Sequence, residues 1–205
     1  GIVFDGASEV ADAIRIDDTV TGAPVVISGC TVRNYTNRFV YVSLSGKIES
    51  LTIDDCIFIG ADNSTTNKAI YASSAHTQVE TLSVTNSTFL NFNTGSNYFF
   101  RINCGEELVL MPVVLIDHCT FYNCYDRRGV YLYNAGRSTI KNCISAFSER
   151  RDDTKSFTAY GDESIVKNVI SYNVDLYGSA PKENIISKNP LFVDAENGNF
   201  QLYKD

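Results

Sequence analysis

One short pattern of apolar and polar positions recurs along the chain. It consists of an apolar residue, any residue, an apolar residue, two turn residues, a small residue or cysteine, any residue and usually an apolar residue. Six segments follow it: residues 25–32, 51–58, 82–89, 114–121, 138–145 and 164–171. Apolar residues that alternate over such short lengths are typical of half-buried strands, and only residues 7–14 show a weak helical spacing. The pattern therefore predicts repeated strand–turn–strand units.

The spacing of the repeat indicates a solenoid. The small position is occupied in turn by Cys30, Cys56, Ser87, Cys119, Cys143 and Val169, at intervals of 26, 31, 32, 24 and 26 residues. A fixed local template at variable intervals is typical of stacked coils whose insertions are confined to loops. We predict an all-β fold, a single-stranded right-handed parallel β-helix of about seven coils. Residues 1–205 form one domain in this interpretation, as the C-terminal part of a longer exported protein.

The second turn position carries the sharpest conformational information. It is occupied by Gly29, Asp55, Asn86, His118, Asn142 and Asn168. Glycine, asparagine, aspartate and histidine are the residue types that most readily adopt a positive φ. We therefore predict one left-handed residue at the same corner of every coil. A β-sandwich, the main alternative, also has short strands at regular spacing but does not predict one recurring turn chemistry.

Further strands complete each predicted coil. A second strand follows each small position: residues 40–44, 70–73, 98–102, 130–133 and 157–160. A weaker third strand is predicted at residues 47–49 and 78–80. Residues 189–194 and 198–202 are predicted to form the last coil, which closes the stack.

The second strands suggest a binding surface. If their aliphatic residues face inward, Tyr41, Tyr71, Phe99 and Tyr131 form an outward column, with Arg101 and Tyr133 two residues further along. Aromatic rings stack on sugar rings, and guanidinium groups bind carboxylate or sulfate. The candidate ligand-binding residues are Tyr41, Tyr71, Phe99, Arg101, Arg128, Tyr131 and Tyr133. The alternative is that these rings pack under loops or against another domain.

Composition and charge narrow the partners. The chain has 205 residues, of which 44% are hydrophobic, and a formal net charge of −7. Domains that bind nucleic acid usually carry a net basic charge, so DNA and RNA are not expected. The longest apolar run, residues 108–116, is interrupted by Pro112 and is far shorter than the roughly 20 residues of a membrane span.

The cysteines and histidines are expected to be structural. Four of the six cysteines share the small position, so they would stack inside the coil as small hydrophobic residues. A disulfide between neighbouring coils stays geometrically open, whereas Cys104 and Cys124 lie outside this column. His118 occupies the turn position, and His76 lies in a polar loop. No metal site and no cofactor are expected.

Residues 51–58 and 114–121 and the ending 189–194 resemble the pectate-lyase-like right-handed β-helix superfamily. Within it, they are most similar to uncharacterised chondroitinase-B-like domains of secreted bacterial proteins involved in glycan use. The resemblance implies a secreted, periplasmic or cell-surface protein with a polysaccharide partner.

Chondroitinase-B-like lyases use a basic residue pair and often a calcium ion held by Asn and Glu-x-Glu. Arg101 and Arg128 could correspond to the basic pair. This chain has no Glu-x-Glu, because Glu106 and Glu107 are adjacent, and neither Asn123 nor Asn134 alone would hold the metal. The resemblance therefore assigns no catalytic residue.

Three functions remain open at this stage. The first is polysaccharide recognition without catalysis, and the second is a polysaccharide lyase acting on uronate glycans. The third is a structural or spacer domain whose aromatic column docks on an adjoining domain of the same chain.

Overall fold

The computed structural model describes residues 1–17, 22–43, 47–60, 67–74, 78–92, 98–104, 112–133 and 135–203. His76, Glu106, Glu107 and Asn134 lie outside the described residues. Within those ranges the chain is almost entirely strand and connecting turn, with one 3₁₀ helix of three residues. No helix in the described ranges has the length and apolar character needed to cross a bilayer.

Each turn of the fold contributes three short strands in chain order. The first two turns hold β1 (Ile2–Asp5), β2 (Asp12–Ile16), β3 (Pro24–Ser28), β4 (Cys30–Arg33), β5 (Arg38–Val42) and β6 (Lys47–Asp54). The next two hold β7 (Ile57–Ile59), β8 (Lys68–Ser74), β9 (Gln78–Thr85), β10 (Thr88–Leu90), β11 (Phe100–Cys104) and β12 (Val113–Asp117). The last three hold β13 (Thr120–Tyr122), β14 (Val130–Leu132), β15 (Arg137–Lys141), β16 (Ile144–Ala146), β17 (Lys155–Ala159), β18 (Ile165–Tyr172), β19 (Asp175–Tyr177) and β20 (Lys182–Ile186).

The strands stack into three parallel sheets, which confirms the predicted parallel β-helix. Sheet 1 contains β1, β4, β7, β10, β13, β16 and β18. Sheet 2 contains β2, β5, β8, β11, β14, β17 and β19. Sheet 3 contains β3, β6, β9, β12, β15, β18 and β20, so that the long strand β18 belongs to both sheet 3 and sheet 1. Five central turns have neighbours on both sides, with one turn at each end of the stack, close to the predicted number of coils.

The predicted left-handed corner is confirmed in every turn. Its six residues have φ values between 50° and 62°. The backbone N–H groups of the first five donate to carbonyls of the following turn, as His118 does to Lys141 at 3.3 Å. Asn184, with φ of 49°, is a seventh member that the template missed. The side-chain amides continue the ladder, because Asn184 donates to Asn168 at 2.8 Å and Asn168 donates to Asn142 at 3.1 Å.

The core fills the interior of the coil with aliphatic and aromatic side chains. Phe58, Phe89 and Phe121 stack on successive turns with ring centroids 5.0 and 4.9 Å apart and nearly parallel planes. Cys30, Cys56, Cys119, Cys143 and Cys124 are buried free thiols. Burial raises the pKa of the Cys56 and Cys124 thiols, which keeps them protonated. They pack as small apolar residues, as expected for the column.

The end of the chain departs from the prediction of a final coil. Residues Phe192–Asp194 (β21) and Asn199–Leu202 (β22) form an antiparallel pair, joined through a 3₁₀ helix at Ala195–Asn197. Asp194 caps this helix and Gly198 follows with φ of 81°, so the chain reverses within a few residues. A reversal this tight allows β22 to return beside β21 instead of crossing the width of a coil.

Candidate ligand-binding site

The outer surface of sheet 2 carries the predicted aromatic column, with one correction. Strand register places Tyr41, Tyr71, Arg101 and Tyr131 side by side on successive turns. Phe99 is not in this row: it is 2% exposed and packs in the core against Phe92, with ring centroids 5.5 Å apart. The row gains Arg15 at one end and Thr158 and Tyr177 at the other. We call these seven residues the outer row.

Phe99 lies just before β11, which begins at Phe100, and is level with Ala69 and Phe39, which are also buried in the core. The backbone N–H of Ala69 donates to the Phe99 carbonyl at 2.7 Å, so Phe99 lies level with Ala69 and not with Tyr71. Arg101 therefore occupies the position that the sequence prediction gave to an aromatic ring. The candidate site therefore has one aromatic ring fewer than the sequence predicted.

Basic side chains cover parts of the outer row. Tyr41 and Tyr131 are only 7% and 5% exposed, although neither belongs to the apolar core cluster. The Arg38 guanidinium lies 3.6 Å from the Tyr41 ring centre and donates two hydrogen bonds of 2.8 Å to Asp12. Arg128 lies 4.8 Å from the Tyr131 ring centre. Stacking of guanidinium groups on tyrosine rings holds both partners in place.

The rings form a continuous aromatic path along the solenoid axis. Tyr98, which the prediction did not include, lies 6.2 Å from Tyr71 and 5.8 Å from Tyr131 between ring centroids. Tyr131 then stacks on Tyr133 at 5.7 Å. The Arg101 guanidinium lies 4.4 Å from the Tyr98 ring and donates to the Tyr98 hydroxyl. Tyr98 is the first residue of the predicted second strand 98–102, and the register of β11 with β8 places it in line with Lys68 and Arg38.

The path opens into a cleft at the C-terminal turns. The cleft has a volume of about 680 Å³ and is lined by Arg127, Arg128, Tyr131, Tyr133, Asp153, Lys155, Thr158, Tyr160 and Tyr177. Three of the predicted residues, Arg128, Tyr131 and Tyr133, therefore come together here. The other outward residues, Tyr41, Tyr71 and Arg101, lie on the preceding turns of the same surface. A volume of this size is typical of small-molecule sites.

Strand β17 positions the loop that carries the two arginines of the cleft. The hydroxyl of Thr158 donates to the Arg128 carbonyl at 2.9 Å, and the Lys155 N–H donates to the Asp126 carbonyl at 3.1 Å. Gly129 has φ of 59°, and a Cβ atom there would lie 2.2 Å from the carbonyl oxygens of Lys155 and Ser156. The loop can lie this close to β17 because residue 129 has no side chain.

Burial sets the protonation of the cleft tyrosines. It raises the pKa of Tyr131, against the opposing effect of the nearby Arg128 charge. Burial also raises the pKa of Tyr160, and Tyr177 adds to the shift. Both hydroxyl groups therefore stay protonated near neutral pH and can donate hydrogen bonds to an anionic or hydroxylated ligand.

A metal centre is not found in the described part of the chain. No group of three or more His, Cys, Asp or Glu side chains within those ranges is arranged to hold an ion. Asn123 is engaged elsewhere, since its Oδ1 accepts from the Ser148 N–H at 2.8 Å. The His118 Nδ1 lies 2.7 Å from the Asp117 carboxylate, at the left-handed corner that joins β12 of sheet 3 to β13 of sheet 1.

Part of the chain is similar to a known protein family. Residues 2–92 match the family described as Domain of unknown function (DUF4957). The matched part holds the first three turns, with Tyr41 and Tyr71, and ends before Arg128, Tyr131 and Tyr133. No curated protein matches the chain significantly. The family description names no activity.

Proposed function

We propose that this domain recognises an acidic polysaccharide along the outer surface of sheet 2. The observation that carries the proposal is the convergence of Arg127, Arg128 and Lys155 with four tyrosines in one cleft of about 680 Å³. Cations and exposed rings in one groove suit a ligand that has both anionic substituents and sugar rings. Non-catalytic binding needs no further group.

The charge of the cleft contrasts with the charge of the chain. The lining contains three basic side chains and one carboxylate, Asp153, and Lys155 also pairs with Asp175 at 3.5 Å, in a protein whose formal net charge is −7. A local basic groove on an acidic protein attracts anions to that groove and not to the remaining surface. The positive charge of this groove supports an acidic ligand over a neutral one.

The rim of the cleft offers rings to the ligand. Tyr133 and Tyr177 are 50% and 55% exposed. Large aromatic side chains that are this accessible and lie beside a groove are common at binding surfaces. On the preceding turns, Arg101 and Tyr71 are partly exposed in the same surface, so an extended chain of sugars would run along the solenoid axis.

Isothermal titration calorimetry with acidic and neutral polysaccharides tests the proposal. We expect Arg128→Ala to weaken binding of an acidic polymer by about tenfold or more, since a charge-assisted hydrogen bond contributes roughly 1.5–3 kcal/mol. Tyr133→Ala should weaken it by a smaller factor. Arg137→Ala, an exposed arginine on β15 of sheet 3, is the matched control and should bind as the parent does.

Two results would refute this function. One is the absence of binding to every acidic polysaccharide at low ionic strength. The other is an equal loss of affinity in Arg128→Ala and Arg137→Ala, which would indicate non-specific attraction by surface charge. Affinity for the correct polymer should fall as salt is added, because the groove is open to solvent.

A uronate polysaccharide lyase is the second candidate. Arg101 and Arg128 approach the same Tyr131 ring, at 6.0 and 4.8 Å from its centre, so the two basic residues suggested by the chondroitinase-B-like resemblance are neighbours. The raised pKa of Tyr131 keeps its hydroxyl protonated near neutral pH, so it can donate a hydrogen bond to a ligand but is not present as the phenolate that proton abstraction needs. Ultraviolet absorbance of an unsaturated product, measured with and without calcium, distinguishes a lyase from a binding domain.

We also propose that the domain belongs to the pectate-lyase-like superfamily and acts in an exported protein. The repeated template and the stacked left-handed corner support this placement. An adjoining domain that docks on the outer row is the remaining alternative. Expression of the full-length protein followed by cell fractionation tests export, and protection of Tyr71 and Tyr133 in that protein would favour docking.

A further inference from the structure

The cleft on sheet 2 is richer in hydrogen-bond donors than in acceptors. Its lining holds the donor-only side chains of Arg127, Arg128 and Lys155 and one carboxylate, that of Asp153. Four tyrosine hydroxyl groups complete the polar lining together with Thr158, whose hydroxyl donates to the Arg128 carbonyl at 2.9 Å. A tyrosine hydroxyl can donate as well as accept. The cleft therefore suits a ligand that brings acceptor oxygens and few hydroxyl donors.

The two arginines of the cleft are not held by protein carboxylates. Arg127 and Arg128 are exposed, and neither guanidinium group has an ion pair or a hydrogen bond with a residue that the structure describes. Lys155 differs, because it pairs with Asp175 at 3.5 Å, and Arg38 donates two hydrogen bonds to an aspartate. The chain has 24 acidic and 17 basic residues, so carboxylates are in excess. Two consecutive arginines without a carboxylate partner are therefore open to an external anion.

The number of donors indicates which kind of anion fits. A carboxylate has two oxygens, and one guanidinium group can bind both of them in a bidentate pair. A sulfate or phosphate ester presents three acceptor oxygens. The Tyr131 and Tyr160 hydroxyls add further donors, because burial raises the pKa of both groups and keeps them protonated. Two guanidinium groups beside two such hydroxyls match three oxygens better than two.

An ester also changes the sugar that carries it. Esterification replaces a hydroxyl donor with acceptor oxygens, so the sugar then needs fewer acceptors from the protein. Asp153 is the one carboxylate among the lining residues, which leaves little provision for free hydroxyl groups. Tyr133 and Tyr177, which are 50% and 55% exposed, remain available to contact the sugar ring.

The opposite balance of charge is found on sheet 1, beneath the C-terminal hairpin. The hairpin β21–β22 folds back over this sheet, where Phe192 and Phe200 contact Tyr122 with ring centroids 6.0 and 5.6 Å apart. A cavity of about 370 Å³ beside it is lined by Asp194 and Glu196, with no lysine or arginine among its lining residues. Asp194 already accepts hydrogen bonds within the hairpin. Open basic groups are thus a property of the sheet 2 cleft and not of every groove on the solenoid.

We propose that the cleft on sheet 2 selects a sulfate or phosphate ester on a sugar over a carboxylate, with Arg127 and Arg128 sharing the three acceptor oxygens of the ester. This inference rests on the proposed function, because it names the anionic group of the polysaccharide that the cleft binds. Sulfate and phosphate esters have the same tetrahedral arrangement of oxygens. The sugar ring that carries the ester contacts Tyr133 and Tyr177 at the rim.

Four polymers that share one backbone test the selection by isothermal titration calorimetry near neutral pH. They are dextran, carboxymethyl dextran, dextran sulfate and dextran phosphate, the last three at equal degrees of substitution. We expect at least one ester to bind about tenfold more tightly than carboxymethyl dextran, the effect of one additional charge-assisted hydrogen bond. Sulfate and carboxymethyl groups each carry one negative charge, so their comparison separates geometry from charge. The ester that binds more tightly identifies the ligand as sulfated or phosphorylated.

A charge-preserving variant tests the role of the guanidinium group. Arg127→Lys keeps the positive charge but removes the planar fork that binds two oxygens at once. It should lower affinity for the preferred ester severalfold more than affinity for carboxymethyl dextran. Arg137→Lys, at an exposed arginine on β15 of sheet 3, is the matched control and should bind both polymers as the parent does. Both substitutions are at exposed positions, and circular dichroism should be unchanged.

Two results would overturn this inference and leave the proposed function standing. One is a carboxylated polysaccharide that binds at least as tightly as both esters. The other is a loss of ester affinity in Arg127→Lys that is no greater than its loss of carboxymethyl dextran affinity. Absence of binding to every acidic polysaccharide is a different outcome, because it refutes the proposed function itself.

Discussion

The two clefts show how one solenoid can present opposite chemistry on different surfaces. Both are built on the same stacked turns. The cleft on sheet 2 is lined by Arg127, Arg128 and Lys155 with one carboxylate, whereas the cavity on sheet 1 is lined by Asp194 and Glu196 without a basic residue. Inward positions are confined to apolar or small residues by the core, so the outward positions alone set the ligand chemistry.

The largest loss of stability is expected from a change in the phenylalanine ladder of the core. Phe121 is 2% exposed, stacks on Phe89 at 4.9 Å and contacts Phe157 at 5.2 Å. Phe121→Ala should lower the free energy of unfolding by about 3–5 kcal/mol. Urea denaturation followed by circular dichroism measures this loss.

Phe121→Leu is the matched control, because it keeps most of the apolar volume and should be clearly less destabilising. Since Phe121 contacts Phe157 of β17 beneath the cleft on sheet 2, partial unfolding of the alanine variant should also reduce binding of an acidic polysaccharide there. An alanine variant as stable as the parent would contradict the close packing of the phenylalanine ladder.

A smaller loss of stability is expected from a change in the loop that carries Arg127 and Arg128, and it should affect only the cleft on sheet 2. Gly129→Ala places a Cβ atom 2.2 Å from two carbonyl oxygens of β17, at a φ of 59°. We expect a loss of about 1–3 kcal/mol in stability and a displaced Arg127–Arg128 loop. Binding of an acidic polysaccharide should then fall, measured by calorimetry.

Gly22→Ala is the control for this experiment. Gly22 has a similar φ of 69°, but a Cβ atom there has nothing within 4 Å. It should therefore cost only the backbone strain and leave acidic-polysaccharide affinity unchanged. Equal affinities in the two alanine variants would show that the close approach of the loop to β17 does not position the arginines.

The smallest expected effect is the contribution of Asp117, next to the left-handed corner, to the pH dependence of stability. Burial alone would raise the pKa of Asp117, but hydrogen bonds from Asn142 and Lys141 and the nearby His118 outweigh it, so the net shift is downward. A carboxyl group whose pKa is lower in the folded state stabilises the fold above its unfolded pKa, near 3.8. That contribution is lost as the pH falls through the folded pKa.

Asp117→Asn should accordingly lower the melting temperature near pH 6 and make little difference near pH 2, measured by thermal denaturation at several pH values. Asp153→Asn, a carboxyl group in the cleft, is the comparison on the other surface. A melting difference for Asp117→Asn that is independent of pH would contradict the assigned hydrogen bonds.

The regular parts of the molecule could be predicted because each turn repeats the same local constraint. The left-handed corner follows from residue types at one position, and the inward column from strand alternation. Asn184 was missed since Lys182 stands where the other six segments have isoleucine or valine. A second corner was also missed, although Asn34, Asn91, Asn123 and Asn173, all with positive φ, stand four residues after the small position.

The irregular parts could not be predicted because they depend on loop length and on long-range packing. The distance from the small position to the second strand varies from turn to turn, so Phe99 could not be aligned with Ala69 instead of Tyr71 from sequence alone. The cleft depends on the approach of the Arg127–Arg128 loop to β17. The hairpin depends on contacts between Tyr122 and two phenylalanines that lie 70 or more residues further along.

Calorimetric titrations of one acidic polysaccharide against Arg128→Ala and Arg137→Ala test most directly whether outward residues of sheet 2 set the ligand chemistry of that surface. We predict that Arg128→Ala loses affinity about tenfold or more, since a charge-assisted hydrogen bond is removed, and that Arg137→Ala binds as the parent does. Equal affinities of the two folded variants would contradict a binding site in the basic cleft.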